Sequence, residues 1–65
     1  MSNIRPPAGS SVYWRFLGQY SGWNYGYVTY VNGPTLIRLG RFSGDKTGGT
    51  VIDCFEIEWR AYSSI

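Results

Sequence analysis

The chain has 65 residues, of which 43% are hydrophobic and 18% aromatic, and its formal net charge is +2. A chain of this length forms one domain, and a domain of about 60 residues buries only about 60% of its unfolded surface, so the core must be dense. One cysteine and no histidine exclude an intramolecular disulfide and a His/Cys zinc site. We expect neither a metal ion nor another cofactor.

The expected location is the cytoplasm. Residues 1–7 lack the apolar stretch of a secretory signal, and no run approaches the roughly 18 apolar residues of a membrane span, so we expect no contact with a membrane. The positive charge is only a mild excess. Most of the basic residues are arginines, however, and arginine stacks on rings and binds phosphates or carboxylates in ways that lysine does not. This bias favours an arginine-rich contact surface.

The first eleven residues differ from the rest of the chain. Residues 1–11 contain two of the three prolines and no periodic apolar pattern, which predicts a flexible N-terminal arm. Residues 12–65 form the predicted domain, in which short β-type runs are separated by glycine-rich turns at spacings of about 8–12 residues. No segment has helical periodicity of useful length. The predicted fold is therefore all-β, a small barrel of about five short antiparallel strands.

The first predicted strand covers residues 12–17. Alternation places Val12, Trp14 and Phe16 on one face of this strand, which is the predicted core face. Arg15 lies on the opposite face. Five residues make up the predicted core of the whole domain: Trp14, Phe16, Val51, Ile57 and Trp59.

The longest β run, residues 23–31, contains a glycine. Glycine inside a strand marks a bulge, a sharp bend or close approach by another backbone, and Gly26 is compatible with all three. If Val28 and Tyr30 face inward beside Gly26, three rings line the opposite face: Trp23, Tyr25 and Tyr27. A slip of one residue would exchange the two sets of side chains.

A tight turn is predicted at Asn32-Gly33-Pro34, because Asn-Gly favours primed turns and proline cannot donate to a central ladder. A hairpin should therefore join residues 23–31 to residues 35–40. The polar, glycine-rich residues 43–49 are typical of a mobile hairpin loop. The last two strands are predicted at residues 50–54 and 57–60, with a tight connection between them.

The strand pattern resembles that of SH3-like barrels, including the Tudor and KOW types. The resemblance rests on the order of a Trp-x-x-Gly-x-Val strand at residues 23–28, a hairpin, a glycine-rich loop and the terminal Val-Ile-Asp-Cys-Phe-Glu-Ile-Glu-Trp-Arg segment. It covers about residues 12–60 and implies an SH3-like barrel, but a fold does not imply a function. The compact size also resembles accessory proteins of phages and other mobile elements, although no motif carries that likeness.

A narrower likeness is to the type II dihydrofolate reductases, which are also SH3-like barrels. Their late strand ends near Leu-Glu-Arg, and the late segment here ends Ile57-Glu58-Trp59-Arg60. The Val-Gln-Ile-Tyr segment that lines the folate pore of that family is Thr50-Val51-Ile52-Asp53 in this chain. The substrate-binding residues therefore do not carry over, and the family serves only as a precedent for small barrels that oligomerise.

Catalysis has little support in the sequence. No histidine can act as a base, and the four acidic residues lack the spacing of a carboxylate pair or a metal cage. Residues 44–49 contain the lysine and hydroxyl of a phosphate loop but lead into a β run rather than a helix, which indicates an ordinary hairpin tip. Cys54 has no base partner and is equally compatible with a small buried hydrophobe. We expect no enzymatic activity.

The aromatic residues indicate binding, because twelve rings exceed the needs of so small a core and some should reach the surface. Exposed rings beside arginines stack nucleobases or anchor protein interfaces. The predicted binding residues are Arg15, Trp23, Tyr25, Tyr27, Arg38 and Arg41. In the first hypothesis the rings stack on the bases of a nucleic acid and the arginines meet its phosphates. The alternatives are a protein-binding inhibitor or adaptor, and a homo-oligomer whose pore or groove binds a small ligand.

Overall fold

A computed structural model describes residues 4–62 of the chain. In chain order the elements are β1 (Ser11–Phe16), β2 (Asn24–Tyr30), β3 (Leu36–Gly40), β4 (Thr50–Asp53), a 3₁₀ helix (Cys54–Glu56) and β5 (Ile57–Ala61). The strands form one antiparallel sheet, in the order β4-β3-β2-β1-β5. The prediction of an all-β fold with five antiparallel strands is confirmed. None of the helical structure within residues 4–62 is long and apolar enough to cross a membrane.

The sheet has two edges. Strands β1 to β4 pair in succession, and β5 returns to the free side of β1, where Trp14 lies opposite Trp59. No ladder joins β4 to β5 in the described part of the chain, so the sheet is not closed. A closed SH3-like barrel therefore stays a prediction.

One face of the sheet carries the core. Because successive side chains of a strand point to opposite faces, alternate residues of β1, β2 and β3 form a continuous apolar layer. The fully enclosed side chains include Val28, Ile37 and Ile57, each with no exposed surface. The buried residues of the core cluster are Val12, Trp14, Val28, Ile37, Leu39, Cys54 and Ile57. Trp59 and Ile52 are partly buried against this cluster.

Two of the five predicted core residues lie elsewhere. Trp14 and Ile57 are buried as predicted, but Phe16 is 39% exposed, because it stands at the last residue of β1 and packs only edge-on against Trp14. Val51 is 46% exposed, because Ile52 takes the core-facing position of β4 opposite Ile37. The core predictions for Phe16 and Val51 are therefore wrong.

Gly26 permits close packing between β1 and β2. A Cβ atom at this position would lie 2.8 Å from Leu39 Cδ2 and 2.9 Å from Trp14 Cδ1, so no larger residue fits without displacing the core. The β1–β2 register runs without interruption past the Val12–Gly26 pair, so there is no bulge. The sequence allows three explanations for this glycine, and the structure supports the close approach of a neighbouring group. The neighbours are the side chains of Leu39 and Trp14 rather than another backbone.

The connection between β2 and β3 confirms the predicted hairpin but is longer than a two-residue turn. The last paired residues are Tyr30 and Ile37, and Gly33 has a φ of 122°, a backbone conformation that glycine adopts readily. Arg5 stabilises the connection by donating from Nη2 to the carbonyl oxygens of Gly33 (3.1 Å) and Leu36 (2.9 Å).

Residues 4–10 lie against the sheet and extend the pairing of β1 with β2. The amide of Gly9 donates to the carbonyl of Val28 (2.7 Å), and the amide of Val28 donates to the carbonyl of Ser10 (2.8 Å). Nearby, the Tyr30 hydroxyl donates to the carbonyl of the buried Pro6 (2.9 Å). The segment predicted as an arm therefore has specific contacts, and its flexibility stays a prediction.

The core assignment predicts unequal effects for two substitutions. We expect Ile37→Ala to lower the free energy of unfolding by about 2–5 kcal/mol, because it leaves a cavity at an enclosed site. Val51→Ala should stay within about 1 kcal/mol of the unsubstituted protein, because half of its side chain is already in water. Urea unfolding followed by tryptophan fluorescence measures both. If Ile37→Ala does not fold, Ile37→Val replaces it, with an expected loss of about 0.5–1.5 kcal/mol. Equal losses at residues 37 and 51 would contradict the assignment.

Candidate functional site

The sheet face opposite the core collects rings and charged groups. Directly opposed residues of an antiparallel pair share a face, and Tyr13 lies opposite Tyr25 on one side and Arg60 on the other. Arg15 lies opposite Glu58. Tyr25 and Tyr27 therefore point away from the core, which is the arrangement expected if Val28 faces inward. Tyr30 was expected to face inward too, but it is 46% exposed because it stands at the last residue of β2.

Three tyrosines pack together on this outer face. The ring centroid of Tyr62 is 4.9 Å from that of Tyr13 and 5.1 Å from that of Tyr25, and the second pair meets edge to face at 88°. Such geometry is favourable for aromatic rings. The Tyr25 hydroxyl is 2.6 Å from Ser11 Oγ, which fixes the outer end of its ring. We call Tyr13, Tyr25 and Tyr62 the tyrosine cluster.

Trp23 lies beside two arginines rather than free in solvent. The guanidinium carbons of Arg15 and Arg60 are 4.1 Å and 4.8 Å from the Trp23 ring centroid, within the range of cation–π attraction. Arg15 also donates from Nε to Glu58 Oε2 at 2.6 Å, and the Glu58 side chain is only 7% exposed. Removing Arg15 would leave a buried carboxylate unpaired, so this arginine has a structural task.

An open groove lies next to the tyrosine cluster. It has a volume of about 550 Å³ and lies between the ends of β3 and β5. Its lining residues are Ser11, Tyr25, Arg41, Phe42, Ser43 and Tyr62. We call it the aromatic groove. Phe42 is 58% exposed, Tyr62 is 45% exposed and the Arg41 side chain is 71% exposed, so rings and charge are accessible to a ligand.

A buried carboxylate holds the loop that supplies Arg41 and Phe42. Asp45 is 5% exposed and accepts hydrogen bonds from the backbone amides of Arg41 (2.8 Å), Gly48 (2.8 Å) and Thr47 (3.3 Å). The bonds from Arg41 and Gly48 contribute most to lowering the pKa of Asp45 from 3.8 to about 2. The predicted hairpin loop is present between β3 and β4, and its lysine and hydroxyl form no phosphate cradle leading into a helix.

The structure divides the six predicted binding residues. Tyr25 and Arg41 line the aromatic groove, whereas Arg15 and Trp23 contact each other at the side of the tyrosine cluster. Tyr27 shares the outer face but does not line the groove. Arg38 lies on β3 opposite Thr29 and donates to the carbonyl of Thr47 (3.2 Å), so it is not at the groove either.

Sequence reasoning missed Phe42 and Tyr62. Alternation gives a signal for the face that Tyr62 occupies, whereas Phe42 is placed by a strand register that only the structure shows. Continuing the alternation of β5 past Glu58 and Arg60 places Tyr62 on the outer face. The β2–β3 register, in which Tyr27 lies opposite Gly40, places Phe42 across from Tyr25. Both residues lie two positions beyond the end of a predicted strand, at residues 40 and 60, and alternation is expected only within a strand.

Other reactive groups are few. Within residues 4–62, no group of three His, Cys, Asp or Glu side chains is placed to hold a metal ion. Cys54 is buried in the core, where desolvation and, to a lesser extent, the Asp53 charge raise the pKa of its thiol above 9.0. The thiol is therefore protonated at neutral pH. The described surface offers stacking, a cation and hydroxyl groups, which suit binding.

Comparison with known proteins adds no precedent for this surface. No protein-family model, no curated protein and no solved structure matches the chain. The function must therefore be inferred from the geometry and charge of the groove.

The Asp45 carboxylate makes stability depend on acid pH. Because folding lowers its pKa to about 2, its contribution is fully present above about pH 4 and is lost as the pH falls through the folded value. We expect Asp45→Asn to be less stable than the unsubstituted protein at neutral pH and to lose less further stability between about pH 4 and pH 2. Urea unfolding across this range measures the difference. Glu56→Gln, an exposed acid outside the loop, is the control and should leave the pH dependence unchanged. A parallel pH dependence in Asp45→Asn would refute the assignment.

Proposed function

We propose that this protein is a non-catalytic binding module whose aromatic groove binds single-stranded nucleic acid. The observation that supports this function best is the convergence of three rings and an exposed arginine on one open groove. Unpaired bases stack on aromatic side chains, and phosphates pair with arginine. We also propose that the scaffold is an SH3-like barrel.

The topology supports the barrel. Strands β4 and β5 stand at opposite edges of the sheet, yet only the three residues Cys54–Glu56 join them in the chain, so the sheet must curl to bring the two edges towards each other. Only β4 and β5 would have to approach each other to close the structure. Full closure removes exposed strand edges, which favours barrels among small β domains.

The exposed rings favour stacking as the main contribution to affinity. Phe42 has no polar atom, and its exposed ring gains most from a ligand that covers an apolar face. Tyr62 stands across the groove and is held by Tyr13 and Tyr25, so it presents a fixed surface. Stacking contributes about 1–3 kcal/mol per base and tolerates every base, because each base has a π-face.

Arg41 is the cation best placed for a phosphate. Its closest acidic atom is Asp45 Oδ2, 3.5 Å from Nε, and that carboxylate is already bonded to backbone amides. Most of the Arg41 side chain therefore faces solvent. The small number of groove cations and the net charge of +2 predict a weak dependence of affinity on salt. The expected log–log slope is about −0.7 for each phosphate contacted.

The stacking role of Phe42 is directly testable. We expect Phe42→Ala to weaken binding of a short labelled oligothymidine by about 5-fold or more, because one stacked base is lost. Phe55→Ala, which removes an equally exposed ring outside the groove, should leave the affinity unchanged. Fluorescence anisotropy at low salt measures both, and a duplex of the same length should bind less tightly. Equal affinities of Phe42→Ala and the unsubstituted protein, both shown to be folded, would exclude this function.

A second candidate function is protein binding, and one observation favours it. Phe16, Leu17 and Phe55 are 39%, 49% and 56% exposed, and the Leu17 amide donates to the carbonyl of Glu56, so the three lie at one end of the sheet. Such a patch is typical of an interface. If no nucleic acid binds, a protein recovered from host lysate by the unsubstituted chain and not by Leu17→Glu would support this alternative.

A further inference from the structure

A second cavity adjoins the aromatic groove. This cleft has a volume of about 300 Å³, at the lower end of the range of about 300–1,000 Å³ found for small-molecule sites. Its lining residues are Trp14, Asn24, Tyr25, Leu39, Gly40, Arg41, Gly49 and Thr50. Tyr25 and Arg41 line both cavities, so the groove and the cleft are neighbours.

Glycines shape the wall of this cleft. A Cβ atom at Gly40 would meet the backbone carbonyl of Asp45, and one at Gly49 would meet the carbonyl of Leu39. Gly49 also has a φ of 79°, which side-chain-bearing residues rarely adopt. The Asp45 loop and the start of β4 are therefore packed directly on the end of β3. This packing brings Thr50 to the cleft.

Two polar side chains in the cleft have no partner within residues 4–62. Asn24 begins β2 opposite Trp14 and is exposed, and Thr50 begins β4 and is exposed. Neither side chain makes a hydrogen bond in the described part of the chain. The Asn24 amide offers both a donor and an acceptor, and the Thr50 hydroxyl offers either. Trp14 and Leu39 supply apolar walls beside these groups.

We infer that the cleft reads the edge of one base and prefers adenine, an inference that rests on the function proposed for the groove. The planar amide of asparagine can pair in a bidentate manner with the N6 amino group and N7 of adenine. Thr50 adds a hydroxyl that serves as donor or acceptor. The volume of the cleft suits one base rather than two. Asn24 is therefore the residue that determines specificity.

Arg41 fits between the two subsites. It lines both cavities, and its side chain is 71% exposed. A strand with one base stacked in the groove and the next base in the cleft would place the phosphate that links them near this guanidinium. Arginine is suited to this position because it binds phosphate oxygens through two parallel hydrogen bonds.

The test compares a short oligothymidine with the same strand carrying one central adenine. We expect the unsubstituted protein to bind the adenine-containing strand about 5-fold or more tightly, the lower end of what one bidentate base contact contributes. Asn24→Ala should lose this preference while still binding oligothymidine. Asn32→Ala, an exposed asparagine in the β2–β3 connection, should keep it.

A second variant covers the case in which Asn24→Ala does not fold. Asn24→Asp carries only acceptors, so its preference should move to a strand with one central cytosine, whose N4 amino group donates. Circular dichroism and the urea midpoint establish folding for each variant.

The outcomes separate the two proposals. No binding of either strand by the unsubstituted protein would overturn the proposed function and this inference with it. Binding of both strands with equal affinity, or a preference that Asn24→Ala and Asn24→Asp leave intact, would overturn base reading by the cleft alone. A preference for another base would overturn the assignment to adenine.

Discussion

Trp14 lies over Gly26 so closely that a single Cβ atom would not fit between them, and the arrangement of both sheet faces depends on this contact. The indole closes the core against Leu39 and donates from Nε1 to the carbonyl of Tyr25 (3.3 Å). With Trp14 directed inward, its neighbours Tyr13 and Arg15 must point outward, because strand side chains alternate. The inward direction of Trp14 therefore determines the packing of the core, the side chains of the outer face and one wall of the cleft.

Two buried carboxylates, Glu58 and Asp45, determine whether the arginine beside each of them has a structural role or is available to a ligand. Glu58 forms an ion pair with Arg15. This ion pair holds the Arg15 side chain against the sheet and beside Trp23. Asp45 instead takes its hydrogen bonds mainly from backbone amides, so Arg41 keeps most of its side chain in solvent. A buried carboxylate must be paired or hydrogen-bonded, and the choice between the two decides which arginine is available to a ligand.

Sequence reasoning predicted the core correctly at residues that face inward by alternation and also lie within the sheet. Trp14 and Ile57 were predicted correctly because both occupy inward positions within the sheet. Phe16 has the correct parity, but its strand ends there, and parity does not reveal how far a core extends. For Val51 the parity itself was wrong, because a short strand with apolar residues on both faces does not specify its register.

The amino-acid sequence by itself determined the all-β class and the β2–β3 hairpin, because these follow from local alternation and turn chemistry. The structure decided that Tyr25 and Tyr27 point outward, because a slip of one residue would exchange the two faces of β2. Only the tertiary structure decided which rings meet. Phe42 and Tyr62 reach Tyr25 through the β2–β3 register and through the return of β5 to β1. Such contacts depend on strand pairings between residues far apart in the chain, and local pattern carries no information about which strands become neighbours.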